Sequence, residues 1–307
     1  MSTLARLRSL VAVADTGSVR EASRRLTVTE SAVSAALAAL AREVKAPLVE
    51  REGRGLRLTE SGRAYADYAR RILGLHEEAL AAARAGHDPG HGRVRVAAVP
   101  SAGEYLLPRI LASFLDAHPD VDLRLEVGTS ERVWAMFGAH EADLVIGGRP
   151  PAHVADAVSA ATCANLLVVV AAPALAEQIT AMSGGAGLES ARWLQREAGS
   201  ATRAHGEALL SALEVDPSRL TLGSSGAVIA GAVAGLGATL APRDAVRRHL
   251  RAGELAEIKV PGTPLRRPWR AVTHDRPPPA AALFVRHLVA AEGWKPAAPK
   301  AAATVGA

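Results

Sequence analysis

Residues 18–40 read SVREASRRLTVTESAVSAALAAL, and the pattern is that of two short helices joined by a tight turn. The first four residues, S-x-x-E at 18–21, form a capping box, which predicts a helix that starts there and runs to Leu26. Thr29 can cap the next helix, which extends to about Val44. A helix-turn-helix places its second helix in the major groove of DNA, so the segment predicts a DNA-binding unit.

The second of these helices has one apolar face and one face of small polar residues. Its apolar positions recur at three- and four-residue steps and must face the core. They are Val33, Leu37, Leu40 and Val44. The opposite face carries Ser31, Ala35, Ala38 and Arg42, with Glu30 and Ser34 on its flanks. Direct base contacts should therefore be sparse, and half-site spacing and DNA shape should carry much of the specificity.

A two-stranded wing is predicted directly after the helix-turn-helix. Residues 47–62 read PLVEREGRGLRLTESG, with glycines for the turn and alternating leucines on the return strand. Arg51, Arg54 and Arg57 gather there, and arginine at a wing tip can enter the narrow minor groove. These arginines could also do no more than solvate the hairpin. We favour DNA contact because the wing follows a helix-turn-helix.

The net charge of the chain is concentrated at its N-terminal end. The 307 residues carry a net charge of +5, and residues 1–75 hold 13 Lys and Arg against 8 Asp and Glu, which accounts for all of it. A basic module of this kind suits a polyanionic partner. No apolar run predicts a membrane span or a secretory leader, and the single cysteine, Cys163, excludes a disulfide framework. These features predict a cytoplasmic protein without a membrane partner.

A long amphipathic linker helix is predicted over residues 59–86, after a winged domain at 1–58. Its apolar stripe is too large for the N-terminal domain to cover, so we predict an antiparallel coiled coil between two subunits. A helix packed on its own domain is the alternative. Residues 87–92 then form a hinge, whose His87 and His91 are interpreted as solvated rather than as metal ligands. The stripe consists of Ala64, Tyr68, Ile72, Leu75, Ala79 and Ala82.

From residue 93 onward strands alternate with helices, which is typical of an α/β domain. We predict a mostly parallel sheet and two α/β lobes with a cleft between them. Lobe 1 takes residues 93–162 and 267–292, and lobe 2 takes residues 163–266. The Ala-, Pro- and Lys-rich residues 293–307 are predicted to be a disordered tail.

Four strand-to-helix junctions in this α/β domain carry small polar residues. Free amide and hydroxyl groups at helix starts can bind anions, because the helix dipole and unsatisfied N–H groups point at the ligand. Each junction alone is more often an ordinary helix cap, but four of them across two lobes favour a site for a small anionic metabolite. No metal, cofactor or catalytic residue is predicted. The candidate binding residues are Ser101, Thr129, Ser130, Ser200, Thr202 and Ser224.

Residues 4–62 resemble the N-terminal domain of the LysR-type transcriptional regulators. The family pattern G-S-x-x-x-A-A-x-x-L-x-V-[ST]-Q-[PS]-A-V-S is followed in step over residues 17–34. The patterns P-L-F-x-R and L-T-x-A-G follow with correct gaps at residues 47–51 and 58–62. The resemblance implies a winged helix-turn-helix that binds double-stranded promoter DNA.

Two of the departures from the family pattern in this domain matter most. Glu30 stands where a glutamine usually opens the recognition helix, and Val49 stands where an aromatic residue usually follows P-L. Glutamate can accept a hydrogen bond from cytosine N4, but it repels phosphates. The outward helix face, the wing and the resemblance together predict a set of DNA-binding residues. They are Ser18, Thr29, Glu30, Ser31, Ser34, Arg42, Arg51 and Arg54.

Residues 93–292 resemble, more loosely, the effector domain of the same regulators, which is similar to type 2 periplasmic binding proteins. The resemblance implies that the hydroxyl residues at the junctions line an effector site. It further implies dimers formed through the linker helix, tetramers built from two such dimers, and RNA polymerase as a further partner. Effector binding would then alter the lobes and, through the linker helix, the spacing of the DNA-binding domains.

Two other classes of protein share parts of this sequence pattern. The solute-binding protein of a transporter would have similar lobes, but it would need a secretory leader and would carry no winged domain. A serine hydrolase could use Ser225, in the near G-x-S-x-G segment LTLGSSGA, with His249 or His274 as its base. Ala227 replaces the last glycine of that motif, and no acid is clearly placed to orient either histidine. We therefore predict a regulator and no enzyme.

Overall fold

The computed structural model describes residues 2–52, 55–85, 89–154, 156–182 and 185–297. The chain divides into two compact units. The first unit comprises Met1–Gly86 together with Met136–Glu141, and the second comprises His87–Ala135 and Ala142–Ala307. No helix within the described ranges is both long and apolar enough to cross a membrane.

The first unit is a helical domain with a two-stranded wing. Its elements are α1 (Thr3–Thr16), α2 (Val19–Leu26), α3 (Glu30–Val44), β1 (Val49–Glu52), β2 (Gly55–Leu58) and α4 (Glu60–Ala85). Strands β1 and β2 pair antiparallel, with Glu50 opposite Arg57. The predicted helix-turn-helix, wing and long helix are therefore confirmed.

The start of α2 differs in one detail from the predicted capping box. Ser18 Oγ accepts a hydrogen bond from the backbone N–H of Glu21 at 3.4 Å, as predicted. The N–H of Ser18, however, donates to Thr16 Oγ1 at 3.4 Å, and the Glu21 carboxylate pairs with Arg24 at 3.5 Å. The capping box is thus half formed, because an arginine one turn further along competes for the glutamate.

The core of the first unit contains the predicted apolar face of α3. Val33, Leu37 and Leu40 are buried, and Val44 is partly buried against them. Val49, which stands in place of an aromatic residue, also packs on this core. A smaller apolar side chain at that position therefore still serves to hold the wing against the helices.

The long helix α4 has two apolar sides. One side packs on the core of the unit through Ala66 and Ala69. The other side is the predicted dimerisation stripe, and it is exposed within the subunit, so the domain leaves it uncovered. Its exposed members are Ala64, Tyr68 (63%), Ile72 (48%), Leu75 (49%) and Ala79, whereas the side chain of Ala82 lies outside the described part.

The segment Met136–Glu141 packs against the middle of α4. Gly74 allows the approach, because a Cβ at that position would lie 2.6 Å from the carbonyl oxygen of Ala139. His140 Nδ1 lies 2.9 Å from Glu78 Oε1, and both side chains are mostly buried. A close backbone contact and a polar pair therefore join this segment to the helix.

The remainder of the chain is built of strands and helices in alternation, beginning with a short 3-10 turn at Pro89–His91. The strands are β3 (Arg93–Ala98), β4 (Asp122–Val127), β5 (Leu144–Gly147), β6 (Val158–Cys163), β7 (Leu166–Ala171), β8 (Trp193–Arg196), β9 (Arg219–Leu222), β10 (Thr239–Pro242), β11 (Ala256–Ile258), β12 (Leu265–Arg266), β13 (Trp269–Thr273) and β14 (Lys295–Pro296). The helices are α5 (Pro100–Tyr105), α6 (Leu107–Ala117), α7 (Ser130–Gly138), α8 (Pro173–Ala181), α9 (Ala186–Ser190), α10 (Ala201–Ala212), α11 (Ser225–Val233), α12 (Arg243–Ala252) and α13 (Pro279–Ala291).

The strands of the second unit form two main sheets, one in each lobe. In lobe 1 the strand order is β14-β6-β13-β5-β3-β4. In lobe 2 the order is β10-β7-β11, β12 also pairs with β7, and β8 and β9 form a separate two-stranded sheet.

The prediction of mostly parallel sheets was wrong. Among the described strands, β3 pairs parallel with β4 and β5, and β8 with β9, while the other named pairs are antiparallel. Parallel neighbours need a crossover helix, which α6 and α7 supply, whereas β13 returns from lobe 2 and pairs in the opposite sense.

The chain after α13 corrects the prediction of a disordered tail. Trp294 is 3% exposed, and its backbone N–H donates to the carbonyl of Leu288 at 3.1 Å. Lys295 and Pro296 then pair with β6. Burial of the large indole fixes this segment, and its signal was hidden by the Ala- and Pro-rich residues that follow. Residues 298–307 of the predicted tail, and residues 86–88 around the predicted hinge, lie outside the described part.

Candidate DNA-reading surface and ligand cleft

The outward face of α3 carries the residues that sequence analysis assigned to DNA. Glu30, Ser31, Ser34 and Arg42 are exposed, as are Ala35 and Ala38. Thr29 is also exposed, but its Oγ1 accepts from the N–H of Ala32 at 3.2 Å and lies 2.9 Å from Ser31 Oγ. Like Ser18, it is partly committed to starting a helix. The face can thus offer two hydroxyls, one carboxylate and one guanidinium to base edges.

The wing and α2 differ in how many of their arginines are available to phosphates. Arg57 is paired with Glu50 at 2.8 Å, so it is a weaker candidate than the sequence indicated. Arg51 is exposed and has no carboxylate partner within the described ranges. Arg54 lies outside them. Arg20 on α2 is likewise exposed and unpaired with any described carboxylate, and the sequence analysis missed it because the helix pattern alone does not show which arginines are neutralised.

A cleft, open to solvent, lies between the two lobes of the second unit. The structure brings most of the predicted effector residues together around it: Ser101, Thr129, Ser130, Ser200 and Thr202. Ser224 is not among the lining residues; it caps α11 instead, accepting from the N–H of Ala227 at 3.0 Å. Its local pattern is the same as that of Ser200, so sequence alone could not separate them.

Helix starts from both lobes point hydroxyl groups towards the cleft lining. In lobe 1, Thr129 Oγ1 accepts from the N–H of Arg132 at 3.3 Å at the start of α7. In lobe 2, Ser200 Oγ accepts from the N–H of Arg203 at 3.5 Å at the start of α10. The partial positive charge of each helix start therefore lies at the cleft, which favours an anionic ligand.

Sequence analysis missed four polar residues of the cleft lining. They are Asn165, Arg196, His205 and Arg267. Arg196 ends β8, a strand that was not predicted. Asn165 and Arg267 lie on the two segments that link the lobes, 102 positions apart in the sequence. No local motif marks such residues, because their proximity arises only when both lobes have formed.

The charge of Arg196 is already satisfied within the protein. Its Nε and one Nη atom donate to the two carboxylate oxygens of Glu197 at 2.7 and 2.6 Å, and its other Nη donates to Ser225 Oγ. Burial alone would raise the pKa of Glu197, but the hydrogen bonds and charge of Arg196 and a backbone hydrogen bond outweigh it and lower that pKa. The carboxylate is therefore ionised and neutralises the guanidinium.

The same contact bears on the hydrolase alternative. A nucleophilic serine needs a base within hydrogen-bond reach, but the hydroxyl of Ser225 accepts a hydrogen bond from the cation Arg196, which cannot accept a proton. His249 Nδ1 lies 2.6 Å from the carboxylate of Glu254 on the surface of lobe 2. These contacts give Ser225 and His249 structural roles.

Arg267 and His205 set the electrostatics of the other side of the cleft. Arg267 is exposed and, in the described part, its guanidinium donates only to the carbonyl of Arg266, at 3.1 Å. Burial, followed by the positive charge of Arg267, lowers the pKa of His205 below its ordinary value of 6.5. At neutral pH the imidazole is therefore uncharged, and Arg267 is the unneutralised cation of the described lining.

Comparison with known proteins identifies both units. Residues 4–63 match the family model of bacterial regulatory helix-turn-helix proteins of the lysR family, and residues 87–292 match that of the LysR substrate binding domain. The HTH-type transcriptional regulator CfxR of Cupriavidus necator is 34% identical over 271 residues, which cover 87% of this chain and 84% of that protein. The RuBisCO operon transcriptional regulator of Acidithiobacillus ferrooxidans is 32% identical over 296 residues, 94% of each chain. A solved structure of full-length CbnR, a protein complexed there with its target DNA, has a TM-score of 0.63 at 23% identity, covering 94% of this chain and 99% of that one.

Proposed function

Because this chain belongs to the LysR family of DNA-binding transcriptional regulators, we propose that a small anion in the cleft between its lobes modulates its binding to promoter DNA. The chain is an oligomeric regulator and not an enzyme. The observation that carries the proposal is the composition of the cleft lining, where hydroxyl groups at two helix starts lie together with the unneutralised guanidinium of Arg267. We place the protein in the cytoplasm, where promoter DNA is accessible.

DNA recognition is proposed to use α3 and the wing. Ser31, Ser34 and Arg42 would contact base edges, and Arg51 would contact the backbone. Because this face offers so few long polar side chains, DNA shape and the spacing of half-sites would supply much of the specificity. The exposed stripe of α4 would join two subunits and so set that spacing, and two such dimers would form a tetramer.

Regulation is proposed to work by linkage. A ligand that binds one arrangement of the lobes better than another shifts the population towards it, and DNA affinity changes only if the two arrangements also differ in DNA binding. The coupling must be reciprocal, so promoter DNA must change the affinity for the anion by the same factor. A passive solute-binding protein, by contrast, would show no effect of DNA on its affinity for the anion.

The first test is DNA binding by the full-length protein. Binding would be measured to the intergenic DNA beside its own gene, to a RuBisCO operon promoter because one relative is named for that operon, and to scrambled DNA of equal length. Each titration would be repeated over a salt series, since phosphate contacts weaken steeply with salt. A preference for a natural fragment that survives rising salt supports specific recognition. Absence of binding to every fragment at low salt would overturn the proposal.

The second test addresses the cleft. Small carboxylates and phosphates would be screened for a change in DNA affinity, with Arg267→Gln as the variant and Ser224→Ala, which lies outside the cleft lining, as its control. The active anion should lose its effect in Arg267→Gln and keep it in Ser224→Ala. An anion that acts equally on both variants would place its site elsewhere.

A further inference from the structure

The charge and hydrogen-bonding balance of the cleft narrows the chemical class of its ligand. Of the two guanidinium groups in the described lining, that of Arg196 is occupied by Glu197, and only that of Arg267 lacks a carboxylate. His205 is uncharged at neutral pH, because burial and the charge of Arg267 lower its pKa. The cleft therefore balances one negative charge on a ligand.

Asn165 supplies a second, independent observation. The residue is 5% exposed and lines the cleft, and its Oδ1 is a buried acceptor with no hydrogen-bond partner in the described part of the chain. Its amide orientation is fixed, because Nδ2 donates to the carbonyl of Arg267 at 2.9 Å. If the amide were flipped, Asn165 Oδ1 would lie against the carbonyl oxygen of Arg267, and neither oxygen could donate. A buried acceptor left without a donor is costly, so a ligand that brings a donor gains affinity here.

The lining also distinguishes between kinds of donor. A ligand ammonium would lie near Arg267 with no carboxylate to offset it, since none of the described lining residues is Asp or Glu. An uncharged hydroxyl carries no such cost and can donate to Asn165 while accepting from Ser or Thr hydroxyls around it. The lining thus favours a hydroxyl over an ammonium group.

We infer that the ligand of the cleft is a small hydroxycarboxylate with a single negative charge, whose carboxylate pairs with Arg267 and whose hydroxyl donates to Asn165. The inference rests on the proposed function of the cleft and specifies its ligand class. Asn165 and Arg267 are joined directly, by the side-chain bond above and by the Arg267 N–H to the Asn165 carbonyl at 3.0 Å. The Asn165 amide and the Arg267 guanidinium therefore lie on two hydrogen-bonded segments that connect the lobes.

The experiment compares ligands of equal chain length on the full-length protein. Calorimetric affinities would be measured for butyrate, 2-hydroxybutyrate, 3-hydroxybutyrate and 2-aminobutyrate, with both enantiomers of each chiral acid, and for inorganic phosphate. At least one hydroxybutyrate should bind about tenfold or more tightly than butyrate, which is the effect of one satisfied buried hydrogen bond. The aminobutyrate should bind no better than butyrate. This comparison needs no variant and so does not depend on how a substitution folds.

Two matched variants then assign the hydroxyl contact. Asn165→Leu removes the acceptor, and Gln195→Met makes the same kind of change at another buried amide, whose Oε1 also lacks a described partner but which does not line the cleft. The hydroxyl preference should fall to within about twofold in Asn165→Leu and persist in Gln195→Met. Thermal melting of both variants would confirm that they fold.

The outcomes separate this inference from the proposed function. If butyrate and the hydroxybutyrates bound equally, or if aminobutyrate bound most tightly, the inference that the ligand has a hydroxyl group would be wrong. The cleft would remain an anion-binding site. If phosphate were the only anion that bound, the inference that the ligand carries a single negative charge would be wrong. A hydroxyl preference that survives in Asn165→Leu would overturn the role of Asn165. Failure of every anion in a broad screen to bind would remove the proposed effector site together with this inference.

Discussion

Arg95 donates to the carboxylate of Asp143 from both its backbone and its guanidinium. The backbone N–H lies 2.7 Å from Oδ2, and the nearest Nη atom lies 2.5 Å from Oδ1. The side chain of Asp143 is 3% exposed, so its carboxylate hydrogen-bonds to Arg95 where water has little access. The pair joins β3 to the residue that precedes β5, in the middle of the lobe 1 sheet.

Asp143→Ala is expected to destabilise the second unit by about 3 kcal/mol, because it removes the buried carboxylate that accepts hydrogen bonds from both the backbone N–H and the guanidinium of Arg95. The free energy of unfolding from urea titrations measures the change. Asp122→Ala is the matched control: its pair with Arg93, at 2.7 Å, also lies on β3, but both side chains are about half exposed. That variant should lose less than about 1 kcal/mol. Equal losses would contradict the importance given to burial.

Gly62→Ala is expected to disrupt the first unit. A Cβ at this position would lie 1.8 Å from the carbonyl oxygen of Leu48, which no side-chain movement can relieve. The start of α4 or the start of the wing must therefore shift, at a cost of roughly 3 kcal/mol or more. Thermal melting and DNA affinity would both report the change. Gly138→Ala, where a Cβ meets nothing within 4 Å, should melt within a degree or two of the unaltered protein.

Arg51 and Ser34 are expected to affect DNA binding in different ways. Arg51→Ala should weaken binding to all sequences and reduce the slope of log affinity against log salt by about one, because one phosphate contact is lost. Ser34→Ala should change the preferred bases while leaving that slope unchanged. Selection from a random DNA library, together with anisotropy titrations over salt, separates the two. If both variants altered only the salt slope, the assignment of Ser34 to base edges would be wrong.

The exposed stripe of α4 is expected to hold the dimer together. Ile72→Asp combined with Leu75→Asp places charge on two side chains that are about half exposed in the subunit, so the subunit itself should remain folded. Analytical ultracentrifugation should then show monomers at concentrations where the unaltered protein is oligomeric. Asp67→Ala, an exposed change on the same helix outside the stripe, serves as the control and should remain oligomeric. An unchanged mass for the double variant would place the interface elsewhere.

Anion binding is expected to strengthen as pH falls. In the free protein, burial and the charge of Arg267 lower the pKa of His205 below 6.5. A bound anion offsets that charge and raises the pKa, so the complex takes up a proton in the window between the two values. Affinity for 2-hydroxybutyrate should therefore rise as the pH falls through this window and stay level above it. Calorimetry in two buffers of different ionisation enthalpy measures the proton uptake, and His205→Gln should abolish both effects.

The sequence predicted the first unit better than the cleft, for a physical reason. The apolar stripe of α3 and the caps at Ser18 and Thr29 are local signals that a few neighbouring residues complete. Ser200 and Ser224 carry the same local cap, and only the arrangement of the strands decides that one faces the cleft and the other does not.

The sequence also did not show which arginine of the cleft is neutralised by a carboxylate. Arg196 and Arg267 are both arginines near strand ends, yet one is held by a neighbouring glutamate and the other is not. Asn165 shows no motif at all, because its partner lies 102 residues away and its importance comes from an acceptor left unpaired after folding.

The short strand β14 protects the lobe 1 sheet from unwanted pairing. Strand β6 would otherwise be the outer edge of that sheet, and an uncovered edge is a template on which another chain can add a strand and aggregate. Lys295 and Pro296 occupy this edge beside Thr162 and Ala161, and proline has no N–H with which to extend the ladder. A protein cut back to the end of α13 would keep its cleft residues and its DNA-reading face, but it would expose this edge and become prone to self-association.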